Sequence, residues 1–127
     1  MSQSFYILIQ ALGTPNGVPV SYALKFLPTE NAEKEIKALR MAPPHRHIVQ
    51  FYGSFKFQSW SVIGSQLCDG TLGQLLRSPE YRQTSKQRQR EVRWGAVRDV
   101  AFALMAIHEK GLMHRDVKPD NSMNQVY

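Results

Sequence analysis

His114-Arg115-Asp116-Val117-Lys118-Pro119-Asp120-Asn121 is the stretch on which the reading of this chain turns. It gathers an imidazole, two further bases, two carboxylates and a carboxamide into eight residues. What precedes it is a helix. Val97, Val100, Ala101, Leu104, Ile107 and His108 recur at helical spacing and form one stripe over Gln89 to Lys110, and Gly111 stands where a helix C-terminal glycine belongs. The polar residues therefore occupy a loop just beyond a helix end.

Working back from that helix, Arg77 to Gln87 reads as a polar, basic link. Before it, Thr71-x-x-Gln74 is a capping box that opens a short helix carrying Leu72, Leu75 and Leu76. Upstream of Cys68-Asp69-Gly70 the pattern changes to strands. Phe5 to Leu12 reads as one, Gly13-Thr14-Pro15-Asn16-Gly17 as a turn, and Val18 to Leu27 as a second. In that second strand Val20, Tyr22, Leu24 and Phe26 fall on one face, with Ala23, Lys25 and Leu27 on the other. Pro28 ends it, and Thr29 with Glu30 opens a helix that runs to Met41, before Pro43-Pro44. Ile48 to Phe57 and Trp60 to Leu67 form a strand pair joined by a turn at Gln58-Ser59. Strands with one helix come first and helices alone follow. The expected class is α+β with two lobes joined near Gln66 to Asp69, an arrangement that places a ligand cleft at the joint.

Composition limits the function classes. The 127 residues are 43% hydrophobic, too apolar for a disordered tail. The apolar runs Phe5 to Ile9 and Ala101 to Ile107 are far shorter than the roughly 18 to 20 residues that span a bilayer. No Lys or Arg precedes Lys25, so the charged start of a signal peptide is missing, and the single cysteine, Cys68, can form no internal disulfide. These features predict an intracellular domain, cytoplasmic or nuclear, without a membrane partner. The net charge is +6, and Arg77, Arg82, Lys86, Arg88, Arg90, Arg93 and Arg98 stand against only Glu80 and Glu91. Such a cluster attracts phosphates or acidic partners. With no aromatic ladder and no zinc spacing beside it, a solvated face is the favoured reading over nucleic acid.

The polar loop also carries a resemblance. It is similar to the catalytic loop of eukaryotic-type protein kinases, His-Arg-Asp-x-Lys-x-x-Asn. Five specified residues at fixed offsets arise by chance at about 10⁻⁵ to 10⁻⁴ over a chain of this length. The lead-in Ile107-His108-Glu109-Lys110-Gly111-Leu112-Met113 also looks like that family's, as does His45-Arg46-His47-Ile48-Val49 followed by Phe51-Tyr52-Gly53. His45 and His47 read as loop structure and not as a metal site. Tyr22-Ala23-Leu24-Lys25 resembles the strand motif Val-Ala-Ile-Lys, whose lysine contacts nucleotide phosphates.

The resemblance implies ATP and Mg²⁺ as cofactors, and a protein substrate with a Ser or Thr hydroxyl. Lys118 points to the serine/threonine subgroup. Phosphoryl transfer depends mainly on positioning and charge neutralisation. His114 and Arg115 belong to the loop; Asp116 orients the substrate hydroxyl and accepts its proton. Lys118 balances charge on the transferred group, and Asn121 offers a neutral oxygen to Mg²⁺. Lys25 is expected to pair with a glutamate of the next helix. Glu30 and Glu33 have Lys34 and Lys37 four residues on, whereas Glu35 lies beside the apolar stripe of Ala32, Ile36 and Leu39. Glu35 is the expected partner. Ala23 leaves room for a flat base. Ser65-Gln66-Leu67-Cys68-Asp69-Gly70 resembles the hinge, with Ser65 as a small gatekeeper and the backbone of Gln66 and Cys68 on adenine.

The resemblance predicts an incomplete two-lobed kinase fold. Residues 1–67 correspond to a small β-rich N-lobe with one helix, without the first strand and the Gly-rich loop. Residues 68–127 correspond to the first helices of the C-lobe, ending after the catalytic loop without an Asp-Phe-Gly and without an apolar strand after Asn121. On its own such a chain is expected to be marginally stable and weakly active or inactive, with the apolar face of its long helix uncovered. The rival readings are a pseudokinase remnant acting as a protein-interaction module and a basic nucleic-acid-binding domain. Oligomeric state does not follow from these residues.

Overall fold

In the computed structural model the described residues are 5–11, 20–115 and 117–124, with side chains described for 22–115 and 117–122. They fall into two units. The first comprises residues 1–42 and 49–67, and the second comprises residues 43–48 and 68–127.

The first unit is a four-stranded antiparallel sheet with one helix. Strands β1 (Phe5–Ala11), β2 (Val20–Pro28), β3 (Phe51–Phe57) and β4 (Trp60–Gln66) pair in the order β1-β2-β4-β3. Helix α1 (Thr29–Met41) connects β2 to β3. The β3–β4 hairpin then returns through Gln58-Ser59 and lays β4 beside β2, with Lys25 opposite Ile63 and Leu27 opposite Ser61. The register carries the Ala23, Lys25 and Leu27 face of β2 onto the same face as Ser65, Ile63 and Ser61 of β4, because alternate residues share a face. α1 packs on that face. Leu27, Ala32 and Ile63 form its buried centre, and Ile36, Leu39 and Phe51 close around it. Burying such side chains contributes about 1.5–3 kcal/mol each for the larger ones.

Two boundaries differ from the sequence reading. Pro28 is the last residue of β2, and Thr29 is already helical. The Thr29 N–H donates to the Ser59 carbonyl, and its hydroxyl accepts from the buried Ser61 hydroxyl, so the tertiary structure meets the needs of the helix start. Ile48 to Gln50 form turn and loop, and β3 begins only at Phe51. The expected turn at Gly13 to Gly17, with Leu12, Val18 and Pro19, lies outside the described residues.

The second unit is built from helices and a small ribbon. β5 (Gly70–Thr71) leads into α2 (Leu72–Arg77), α3 (Pro79–Arg82) and α4 (Lys86–Glu109). A 3₁₀ turn (Pro119–Asn121) and β6 (Met123–Asn124) follow, with β6 antiparallel to β5. The expected capping box forms: the Thr71 N–H donates to the Gln74 carboxamide, and the Gln74 N–H donates to the Thr71 hydroxyl. Gly111 takes the left-handed conformation at the end of α4, with φ of 72°.

Here too the expectations need correction. The link from Arg77 to Gln87 contains α3 and the first two residues of α4, since Ser78 and Ser85 each cap a helix start, accepting from the N–H groups of Tyr81 and Arg88. The stripe on α4 divides. Val100, Leu104 and Ile107 are half-buried, whereas Val97, Ala101 and His108 are exposed beside Trp94, Phe102 and Met105. A two-residue strand follows Asn121 where none was expected, because backbone pairing with Gly70–Thr71 needs no apolar run. Among the described residues no helix is long and apolar enough to cross a membrane.

Candidate functional site

In the first unit the site begins with strand alternation. Lys25 sits mid-strand in β2, on the face covered by α1, where its ammonium cannot reach water on all sides. Glu35 occupies the matching position on the helix, one residue before Ile36 of the apolar stripe. Lys25 Nζ donates to Glu35 Oε1 at 2.5 Å, with the side chains 21% and 36% exposed. The helix thus offers the carboxylate that lies beside its core stripe, while Glu30 and Glu33 are exposed. At this exposure the pair contributes little to stability. Its effect is positional, since it fixes an ammonium on a rigid strand.

Ala23, two residues before Lys25, lies directly across from Ser65 of β4, which in turn faces Phe51 of β3. Small side chains at two adjacent cross-strand positions keep that part of the sheet face low. The Gln66 N–H donates to the Gln50 carbonyl at 2.8 Å, and Gln66 Oε1 accepts from the Gln50 N–H at 3.2 Å. Of the two Gln66 backbone groups that the sequence reading offers to adenine, the N–H is therefore engaged. Cys68 is half-buried, and its thiol pKa is raised by burial and, secondarily, by the neighbouring Asp69 carboxylate.

In the second unit the polar loop is held by its own backbone. His114, Arg115, Lys118 and Asn121 are all exposed. Arg115 adopts φ of 70°, a left-handed conformation uncommon for a residue with a side chain. Asp116, the residue after it, lies outside the described residues. Lys118 precedes the 3₁₀ turn, and its carbonyl accepts from the Asn121 N–H at 3.0 Å and from the Ser122 hydroxyl at 3.2 Å. The structure therefore brings Lys25 and Glu35 together, and sets Lys118 and Asn121 at the two ends of one turn. Among the described residues no group of three or more His, Cys, Asp or Glu gathers to hold a metal ion. Asn121 supplies one oxygen of the type that Mg²⁺ accepts.

Other singled-out residues serve structure. His45 Nδ1 accepts from the His47 N–H at 3.1 Å, and the His47 ring stacks on Phe102 and stands 3.6 Å from Asp99. Within the basic cluster Arg77 pairs with Asp120, Arg88 with Glu91 and Arg98 with Asp99. The Arg77–Asp120 contact bridges 43 residues and had no local signal in the sequence.

The comparisons with known proteins agree with these features. The family model for the protein kinase domain matches residues 20–125. A Wee1-like protein kinase of Arabidopsis thaliana is 33% identical over 122 residues, 94% of this chain and 23% of that protein. A probable protein kinase of Dictyostelium discoideum is 32% identical over 80% of this chain and 14% of its own length. A CDPK-related kinase of Arabidopsis thaliana is 31% identical over 82% of this chain and 16% of its own length. The chain thus spans between about a seventh and a quarter of these relatives. With the strand lysine, the helix glutamate and the polar loop all inside the matched range, the chain belongs to the protein kinase domain family.

Proposed function

We propose that this chain carries the nucleotide-binding strand and the catalytic loop of an ATP-dependent protein serine/threonine kinase. The observation that carries the reading is the Lys25–Glu35 pair, because the lysine of the strand motif meets the one glutamate set against the helix core. Bound MgATP would supply the transferable phosphoryl group. Lys25, steadied by Glu35, holds the nucleotide phosphates by charge-assisted hydrogen bonds. Ala23 and Ser65 leave space for the base, and the Gln66 carbonyl and Cys68 backbone hold its edge. Asp116 accepts the proton of a substrate hydroxyl, and Lys118 neutralises charge on the phosphoryl oxygens. Asn121 is the residue that would ligate Mg²⁺. His114 and Arg115 shape the loop around Asp116. The single cysteine, which can form no internal disulfide, supports an intracellular setting.

The test is a thermal-shift titration of the chain with MgATP, with Lys25→Met as the control. Saturating nucleotide at about 100 times Kd stabilises a binding protein by about 2.7 kcal/mol, which reads as a shift of several degrees. The shift is expected in the parent chain and absent in the variant. No nucleotide-dependent shift in either, or an equal shift in both, overturns the reading.

A further inference from the structure

α2 makes an unusual approach to the turn that carries Asn121. Gly73 is buried, and a Cβ at that position would stand 2.0 Å from Asp120 Oδ1 and 3.1 Å from Arg77 Nη1. The Asp120 carboxylate therefore lies against the backbone of α2, where a Cβ would displace it. Arg77 follows Gly73 by four residues, and helical side chains lean toward the N-terminus, so its guanidinium folds back over the same spot. It donates to Asp120 Oδ1 through Nη2 at 3.1 Å. On the other side of Asn121, the Ser122 carbonyl accepts from the Leu72 N–H at 2.6 Å. Asn121 thus stands between two residues that are each tied to α2, with Lys118 bonded to the same turn through its carbonyl.

We infer that Gly73 and Arg77 are positioning residues, which clasp Asp120 and thereby fix the turn that presents Lys118 and Asn121. The functional sense of this clasp rests on the kinase reading; the clasp itself does not. An exposed ion pair alone holds little, and Arg77 and Asp120 are 61% and 59% exposed. What makes the contact specific is the missing Cβ. Gly73→Ala is by helix propensity alone a stabilising change. Here it pushes the carboxylate off its seat.

The experiment is amide hydrogen exchange on the 127-residue chain without nucleotide, with thermal melting alongside. Gly73→Ala and Arg77→Gln are expected to speed exchange at Leu72, Asn121 and Ser122 by roughly tenfold, while the melting temperature holds, because the opening is local. Arg77→Lys keeps a charge without the planar fork and is expected to restore slow exchange in part. If Gly73→Ala fails to fold, Arg77→Gln decides, since that side chain is exposed. Unchanged exchange at these amides in the folded variants overturns the clasp. So does acceleration spread evenly over α4, which would mean global destabilisation. Because the readout needs no ligand, a parent chain that shows no MgATP shift would sink the kinase reading and leave this result standing or falling separately.

Discussion

The two units solve the same physical problem, fixing a few polar side chains, by different means. In the sheet unit, Lys25 and Glu35 are carried by a nine-residue strand and a thirteen-residue helix, and the buried Leu27, Ala32 and Ile63 set their separation. In the helical unit, Lys118 and Asn121 ride on a three-residue 3₁₀ turn, where every described residue is exposed. Backbone hydrogen bonds and one glycine contact do the holding there. The contrast teaches that a charged pair can be placed by a hydrophobic core it does not belong to, whereas a loop must be placed by polar bonds that leave its side chains accessible.

The contrast breaks most visibly at the core. Leu27→Ala removes a side chain that is 5% exposed and is expected to cost about 2–5 kcal/mol in urea-induced unfolding. A loss below about 1 kcal/mol would mean the core does not set the sheet unit's geometry. The helical unit's counterpart is polar. Gln89 is 8% exposed, and its carboxamide donates to the carbonyls of Tyr81, Arg82 and Thr84, closing the end of α3. Gln89→Ala takes a donor from the Arg82 and Thr84 carbonyls, while that of Tyr81 keeps the Thr84 N–H and hydroxyl, and is expected to cost about 1–3 kcal/mol, measured the same way.

Smaller changes sharpen the comparison. Glu35→Gln removes the charge opposite Lys25 and should weaken nucleotide binding by about 1 kcal/mol, roughly fivefold in Kd by titration calorimetry. Glu33→Gln, on the exposed side of the helix, should change nothing, and equal effects in the two variants would remove Glu35 from its role. The smallest effect concerns Cys68. Burial, and then Asp69, favour the neutral thiol, so the thiolate fraction at any given pH is lower than for a free cysteine. Alkylation of Cys68 should therefore lag that of a model thiol between about pH 8 and 9 and quicken in Asp69→Asn. A rate matching the model thiol in the folded chain would refute the shift.

Much of this is legible in the sequence. The alternation of β2 gave the two faces, and the box at Thr71 and Gln74 gave the start of α2. The spacing of Ala32, Ile36 and Leu39 singled out Glu35, because each of these signals acts between residues at most four apart. What misled was also local. The basic run after Arg77 looked like a link, since its helix starts depend on the single residues Ser78 and Ser85. The apolar stripe of α4 looked continuous, although which of its sides is covered depends on what packs there.

The sequence by itself determined the family, the order of strands and helices, and the residues with chemistry to offer. Tertiary structure alone decided that β4 lies beside β2, so that Ser65 comes across from Ala23. It alone decided that Asp120 meets Gly73 and Arg77 more than forty residues away. The physical reason is range. Propensity, capping and periodicity are energies of neighbours along the chain, whereas strand order and the seating of a carboxylate on a glycine come from close packing between segments that no local pattern connects.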